Sequence, residues 1–77
     1  MSGLTLDQAP LGARLTVRDA GGTGSSQRRL AALGLRRGSE VVLLQSTTGG
    51  GRLAQVGGSR IALGPGVLRQ LLVELPA

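Results

Sequence analysis

The chain has 77 residues, a formal net charge of +5 and nine arginines, and it contains no lysine, histidine, cysteine or aromatic residue. General bases, nucleophiles and transition-metal ligands come mostly from histidine, cysteine, lysine and tyrosine, so this composition argues against an enzyme and against an iron or zinc site. We therefore expect no catalytic residue, no metal ligand and no cofactor.

The apolar residues are too dispersed for a membrane-spanning segment. The longest aliphatic run, VVLL at residues 41–44, is far shorter than the roughly 20 apolar residues that cross a bilayer. A chain of this size forms one small domain with a modest core, and the lack of cysteine fits a reducing compartment. The sequence thus predicts a soluble cytoplasmic domain without direct membrane insertion.

The N-terminal third predicts one long strand. Residues 4–6 are apolar, polar and apolar, and a turn-rich segment follows at 7–12. From residue 13 to 19 the pattern alternates, with Leu15 and Val17 on one side and arginine or threonine on the other. Period two with a single apolar side is typical of a half-buried strand, and glycine-rich residues 21–24 end it.

A short helix is predicted next, over residues 27–33. Ser25 or Ser26 is expected to be its N-cap, because a serine oxygen accepts a hydrogen bond from an unpaired N–H of the first turn. Gly34 follows the last turn, where a left-handed residue is favoured, and Leu35 is expected to fold back onto the helix.

The second strand is predicted at residues 40–46 and is apolar on both sides. Val41 and Leu43 share one side, and Val42 and Leu44 share the other. Such a strand is either central or covered by another surface. Val42 and Leu44 are the best candidates for an exposed apolar strip that binds a partner, although packing within the domain would explain them equally well.

The C-terminal half predicts three more strands and one helical turn. The strands are expected at residues 53–56, 60–63 and 71–74, and the helical turn at 67–70, after a break at 64–66. Glycines at 49–51 and 57–58 supply the turns. Five short strands with one short helix, inserted after the first long strand, predict a mainly β fold and a small, partly closed barrel.

Four arginines flank the helix, and they have two interpretations. Arg28 and Arg29 lie in its first turns, where the helix dipole disfavours cations, and Arg36 and Arg37 lie in the turn that follows. They could form a solvated surface, or a surface that docks an acidic partner. Sequence-specific nucleic-acid binding is not expected, because stacking aromatics and a helix-turn-helix are both missing.

The segment RRLAALGLRRG, residues 28–38, resembles the arginine-leucine, leucine-glycine-leucine, glycine signature of the ferrous iron transport protein A (FeoA) family. The likeness extends to the opening turn at residues 6–12, to a glycine-x-x-valine strand at 38–43, to a glycine-x-x-isoleucine-alanine-leucine hairpin at 58–63 and to the closing strand at 71–74. The pieces occur in the right order, and the resemblance extends over about residues 4–75 of a single domain spanning 1–77.

This resemblance implies an SH3-like β-barrel and an accessory role in bacterial ferrous iron uptake. The implied partner is the cytoplasmic GTPase domain of a FeoB-type membrane permease. The predicted docking residues are Arg28, Arg29, Arg36, Arg37, Val42 and Leu44. A small basic nucleic-acid-binding protein and a metal-responsive regulatory domain remain alternatives, and a weak homo-oligomer stays open.

Overall fold

The computed structural model describes residues 4–21 and 24–75 of the chain. Six strands and two α-helices make up the regular structure, in the order β1 (Leu4–Thr5), β2 (Arg14–Asp19), α1 (Gly24–Ala32), β3 (Glu40–Ser46), β4 (Arg52–Val56), β5 (Ser59–Leu63), α2 (Pro65–Gln70) and β6 (Leu72–Glu74). Short 3-10 turns at Leu6–Gln8 and Thr48–Gly50 complete the fold.

All six strands form one antiparallel sheet, in the spatial order β1-β6-β2-β3-β4-β5. Strands β3, β4 and β5 are joined by short turns, whereas β2 and β3 are joined by the segment that contains α1. That longer connection lets α1 pack over the core instead of extending the sheet. The predicted mainly β fold is confirmed. The sheet has six strands instead of the predicted five, because Leu4 and Thr5 form an additional strand in which Leu4 pairs with Val73 of β6.

The core is made of aliphatic side chains from every layer. The inward-facing residues of β2 and β3 are buried, as the alternation predicts, and both helices contribute leucines from one face. The largest fully buried side chains are Leu6, Leu15, Leu35, Leu43, Leu68, Leu71, Val17, Val41 and Val73. Because the chain has no aromatic residue, many small aliphatic contacts replace a few large ones.

Two predictions about the helices are wrong. Helix α1 begins at Gly24, so Ser25 and Ser26 lie inside its first turn and neither is the N-cap; residues 22 and 23, in the predicted glycine-rich break, lie outside the described residues. The predicted break at 64–66 is also wrong in part, because Pro65 and Gly66 begin α2. Proline is favoured at the first helical position, where its missing N–H has no partner to lose.

No helix within the described residues is both long and apolar enough to cross a membrane.

Candidate functional site

The end of α1 reverses the chain through a Schellman motif. Gly34 has φ +92°, its N–H donates to the Ala31 carbonyl at 2.9 Å, and the Leu35 N–H donates to the Leu30 carbonyl at 2.9 Å. These two bonds satisfy carbonyls that the end of a helix leaves free. Leu35 is fully buried, so the predicted fold-back onto the last turn is confirmed.

The segment after this turn is attached to β2. The N–H of Gly38 donates to the Val17 carbonyl at 2.8 Å, and the N–H of Val17 donates to the Ser39 carbonyl at 2.9 Å. A tight turn between Arg36 and Ser39 is closed by a 2.9 Å backbone bond. Arg36 and Arg37 are therefore held by backbone contacts on both sides, although their side chains extend into solvent.

An open cleft of about 540 Å³ lies between α1, the end of β2 and this turn. Four arginines line it, and we call it the arginine cleft. Its other lining residues are small, apolar or uncharged, apart from one aspartate. The lining is formed by Arg18, Arg28, Arg36 and Arg37 together with Asp19, Ala20, Gly24, Gln27, Ala31 and Leu35.

The positive charge of the arginine cleft is not neutralised by the described part of the chain. All four arginines are exposed. The one salt bridge within residues 4–21 and 24–75 joins Arg14 to Glu40 at 4.0 Å and lies outside the cleft. The Asp19 carboxylate already accepts a 2.8 Å hydrogen bond from the Gly21 N–H. Four arginines thus line the cleft together with one aspartate, whose carboxylate is already partly engaged.

Gln70 of α2 supports one wall of the arginine cleft. Its Nε2 donates to the Ala20 carbonyl at 3.1 Å and to the Ser26 hydroxyl at 3.2 Å, which ties the end of β2 to the first turn of α1. Gly21 permits this approach, because a Cβ at that position would lie 2.5 Å from the Gln70 carbonyl oxygen. Hydrogen bonds from Gln70 therefore hold together the two elements on which this side of the cleft is built.

Comparison with known proteins identifies the family. The model of the FeoA domain matches residues 4–75. The chain belongs to the FeoA domain family. A search of curated protein sequences gave no match.

Solved structures of FeoA proteins have the same fold as this FeoA domain. An iron uptake regulatory protein (FeoA) is 26% identical with a TM-score of 0.85, and the match covers 96% of this chain and 97% of that one. FeoA of Stenotrophomonas maltophilia, crystallised with zinc, is 30% identical with a TM-score of 0.76, covering 92% and 89%. A FeoA-like protein of Clostridium acetobutylicum is 18% identical with a TM-score of 0.85, covering 100% and 91%.

The Stenotrophomonas protein is described as a prokaryotic SH3 domain protein and a candidate activating factor of bacterial ferrous iron transport. The SH3-like fold expected from the sequence is thereby confirmed. Membership of the family also makes this FeoA domain an accessory protein of ferrous iron transport.

The six residues that the sequence predicts for docking lie at different places on the FeoA domain. Arg28, Arg36 and Arg37 line the arginine cleft, whereas Arg29 is exposed on α1 and is not among the lining residues. Val42 lines a second groove of about 480 Å³, which also contains Arg36, Arg14 and Glu40.

Leu44 lines neither groove and is half-buried, next to a register shift between β3 and β4. The apolar strip that the alternation predicts is therefore divided: Val42 borders a polar groove, and Leu44 packs beside a bulge. Both side chains stay hypotheses for docking, because their half-burial is compatible with packing alone.

Sequence reasoning did not select Arg18. The alternation places it on the outer side of β2, but only the folded chain brings it to the same cleft as Arg28, ten residues later and across a glycine-rich connection. Arg52 shows the opposite case, because its Nη1 donates to the Ala9 carbonyl at 2.8 Å and the side chain is partly buried. Arg52 is therefore engaged in holding the N-terminal segment.

The described residues hold no group of three or more histidine, cysteine, aspartate or glutamate side chains that could share a metal ion. Asp7 buries its Oδ1 atom without a hydrogen-bond partner in that same part of the structure, and it belongs to no such group. The geometry shows a positively charged surface cleft.

Proposed function

We propose that this FeoA domain is a non-catalytic, cytoplasmic accessory protein that docks on the GTPase domain of a FeoB-type ferrous iron permease and modulates its assembly or nucleotide cycle. Family membership supports the transport role, and the arginine cleft supports docking. The observation that carries the proposal is the gathering of Arg18, Arg28, Arg36 and Arg37 around one cleft without a salt bridge among the described residues.

Arginines without a salt bridge among the described residues favour recognition over stability in this arrangement. Clustered like charges repel each other and slightly destabilise a compact domain, while they accelerate encounter with an oppositely charged partner. Charge complementarity mainly raises the association rate and orients the partners. The backbone that carries the four side chains is held by hydrogen bonds. Partner binding therefore costs less main-chain conformational entropy than it would in a flexible loop.

The docking proposal is tested by measuring binding to the isolated GTPase domain of the permease. We expect the wild-type chain to bind, and the charge-reversed variant Arg28→Glu/Arg37→Glu to bind at least about tenfold more weakly, which corresponds to about 1.4 kcal/mol. The matched control is Arg60→Glu/Arg69→Glu, which makes the same change of charge at exposed positions outside the cleft.

An equal loss of affinity in the cleft variant and in the control variant would show that binding depends on the net charge of the chain and not on the arginine cleft. Unchanged binding in the cleft variant would remove the arginine cleft from docking. If the wild-type chain fails to bind any form of the GTPase domain, with or without nucleotide, the proposed function is wrong.

A further inference from the structure

We infer that the arginine cleft binds a carboxylate-rich peptide segment, presented by the docking partner, with acidic side chains that flank a small apolar residue. This inference rests on the proposed function and names the chemistry that the partner must present. It is carried by the charge, the lining and the composition of the cleft.

The charge of the cleft selects an anionic ligand. Four exposed arginines line it, and Asp19, the one acidic residue among the described lining residues, already accepts the Gly21 N–H at 2.8 Å. Guanidinium groups bind carboxylates through two parallel N–H···O bonds, which gives orientation as well as affinity. With Asp19 counted against the four arginines, the lining has a net charge of +3, so three acidic side chains would neutralise it.

Helix α1 adds to the same preference. Gly24, its first residue, lines the cleft, and its first turn, GSSQ, contains no acidic side chain. The start of a helix has partial positive charge from N–H groups without intrahelical partners. A carboxylate from another molecule can therefore interact with both the helix and Arg28.

Small apolar residues complete the lining of the cleft. Ala20 and Ala31 are half-buried and Leu35 is fully buried, so the apolar side-chain surface open to a ligand comes mainly from the two alanines. A small apolar side chain of the ligand gains contact there while the carboxylates beside it reach the arginines. Alternating acidic and small apolar residues fit this lining.

The composition argues against two other occupants. SH3 domains that bind proline-rich peptides use grooves lined by aromatic residues, and proteins that bind single-stranded nucleic acid stack bases on aromatic side chains. This chain has no aromatic residue at all. The cleft offers positive charge and a few small apolar residues, and an acidic peptide with small apolar residues uses both.

The test is a titration of the full chain with an acetylated peptide of alternating glutamate and alanine. Binding is measured by NMR of labelled protein and by fluorescence anisotropy. The matched peptide replaces glutamate with glutamine. We expect the acidic peptide to shift amide signals at Arg28, Ala31 and Arg36, to bind more weakly as salt increases, and to displace the GTPase domain from the wild-type chain.

The variant Arg18→Gln/Arg28→Gln should weaken binding of the acidic peptide roughly tenfold, and Arg60→Gln/Arg69→Gln should change it less than about twofold. The single variant Arg37→Gln gives a second measurement if the double variant melts early. Equal affinity for the glutamine peptide, or preferential binding of inorganic phosphate, a proline-rich peptide or an oligonucleotide in the cleft, would overturn the inference.

This outcome is separable from that of the proposed function. If the GTPase domain binds through the arginine cleft but the acidic peptide neither binds nor competes, docking stands and the acidic-segment inference fails. If the GTPase domain does not bind the wild-type chain at all, docking itself fails, whatever the peptide does.

Discussion

The N–H of Leu35 donates to the carbonyl of Leu30 at 2.9 Å, and this one contact connects the core of the domain to its charged surface. Both side chains are buried, and Arg36 and Arg37 follow Leu35 directly in the chain. The orientation of the arginine cleft therefore depends on how α1 ends.

Replacing Gly34 with alanine should destabilise the domain by about 1–2 kcal/mol. The residue has φ +92°, and a Cβ there would lie 3.0 Å from Cγ1 of Val56; the left-handed conformation alone costs a residue with a Cβ about that much. Urea unfolding measures the change. The control is Gly66→Ala in α2, where no positive φ or close atom is present and a gain of about 0.4–1 kcal/mol is expected.

Leu35→Ala and Leu33→Ala make a matched pair on the two sides of this glycine. Leu35 is fully buried, whereas Leu33 is 45% exposed. Removing the Leu35 side chain should cost about 2–5 kcal/mol, because a cavity forms in the core, and removing Leu33 should change stability by less than about 0.5 kcal/mol. Similar losses from both variants would contradict the described end of α1.

Gln70→Ala should loosen the wall of the arginine cleft. The variant removes two side-chain hydrogen bonds, to the Ala20 carbonyl and the Ser26 hydroxyl, at a cost of about 1–2 kcal/mol. Amide hydrogen exchange should accelerate near residue 20 and in the first turn of α1. The neighbouring Arg69→Ala, at an exposed position, should leave both the exchange and the stability nearly unchanged.

The four cleft arginines, which form no salt bridge within residues 4–21 and 24–75, should make stability depend on salt. Screening reduces repulsion between exposed charges at separations near the Debye length, about 10 Å at 0.1 M, so the melting temperature should rise between low and moderate ionic strength. Arg28→Gln/Arg37→Gln should raise the melting temperature at low salt and flatten this dependence. A melting temperature that falls with salt would contradict a surplus of repulsion in the cleft.

The strands were predictable because their signals are local. The alternation in β2 shows the two-residue period of a strand, and the glycines before β3 and β5 mark the turns where the chain reverses. Neither signal depends on distant residues. The first strand was missed because it has two residues, Leu4 and Thr5, and is defined by its pairing with β6 at the other end of the chain. Two residues are too few to show a period.

The arginine cleft was predictable only in part, for the same reason. Arg28, Arg36 and Arg37 stand close together in the sequence, on a helix whose end is marked by Gly34, so local reasoning could associate them. Arg18 lines the cleft and Arg29 does not, because the fold places α1 beside the end of β2. Gln70 links these two elements by hydrogen bonds to Ala20 and Ser26, and it approaches Gly21 closely. Gln70 and Gly21 are 49 positions apart in the sequence and carry no shared local signal.

The most direct test of the central claim is an NMR titration of labelled chain with the unlabelled GTPase domain of the permease. Docking through the arginine cleft predicts that the signals of Arg18, Arg28, Arg36 and Arg37 shift or broaden first, and that those of Arg60 and Ala62 on β5 stay in place. Changes confined to β4 and β5, or no change at any concentration of the GTPase domain, would contradict it.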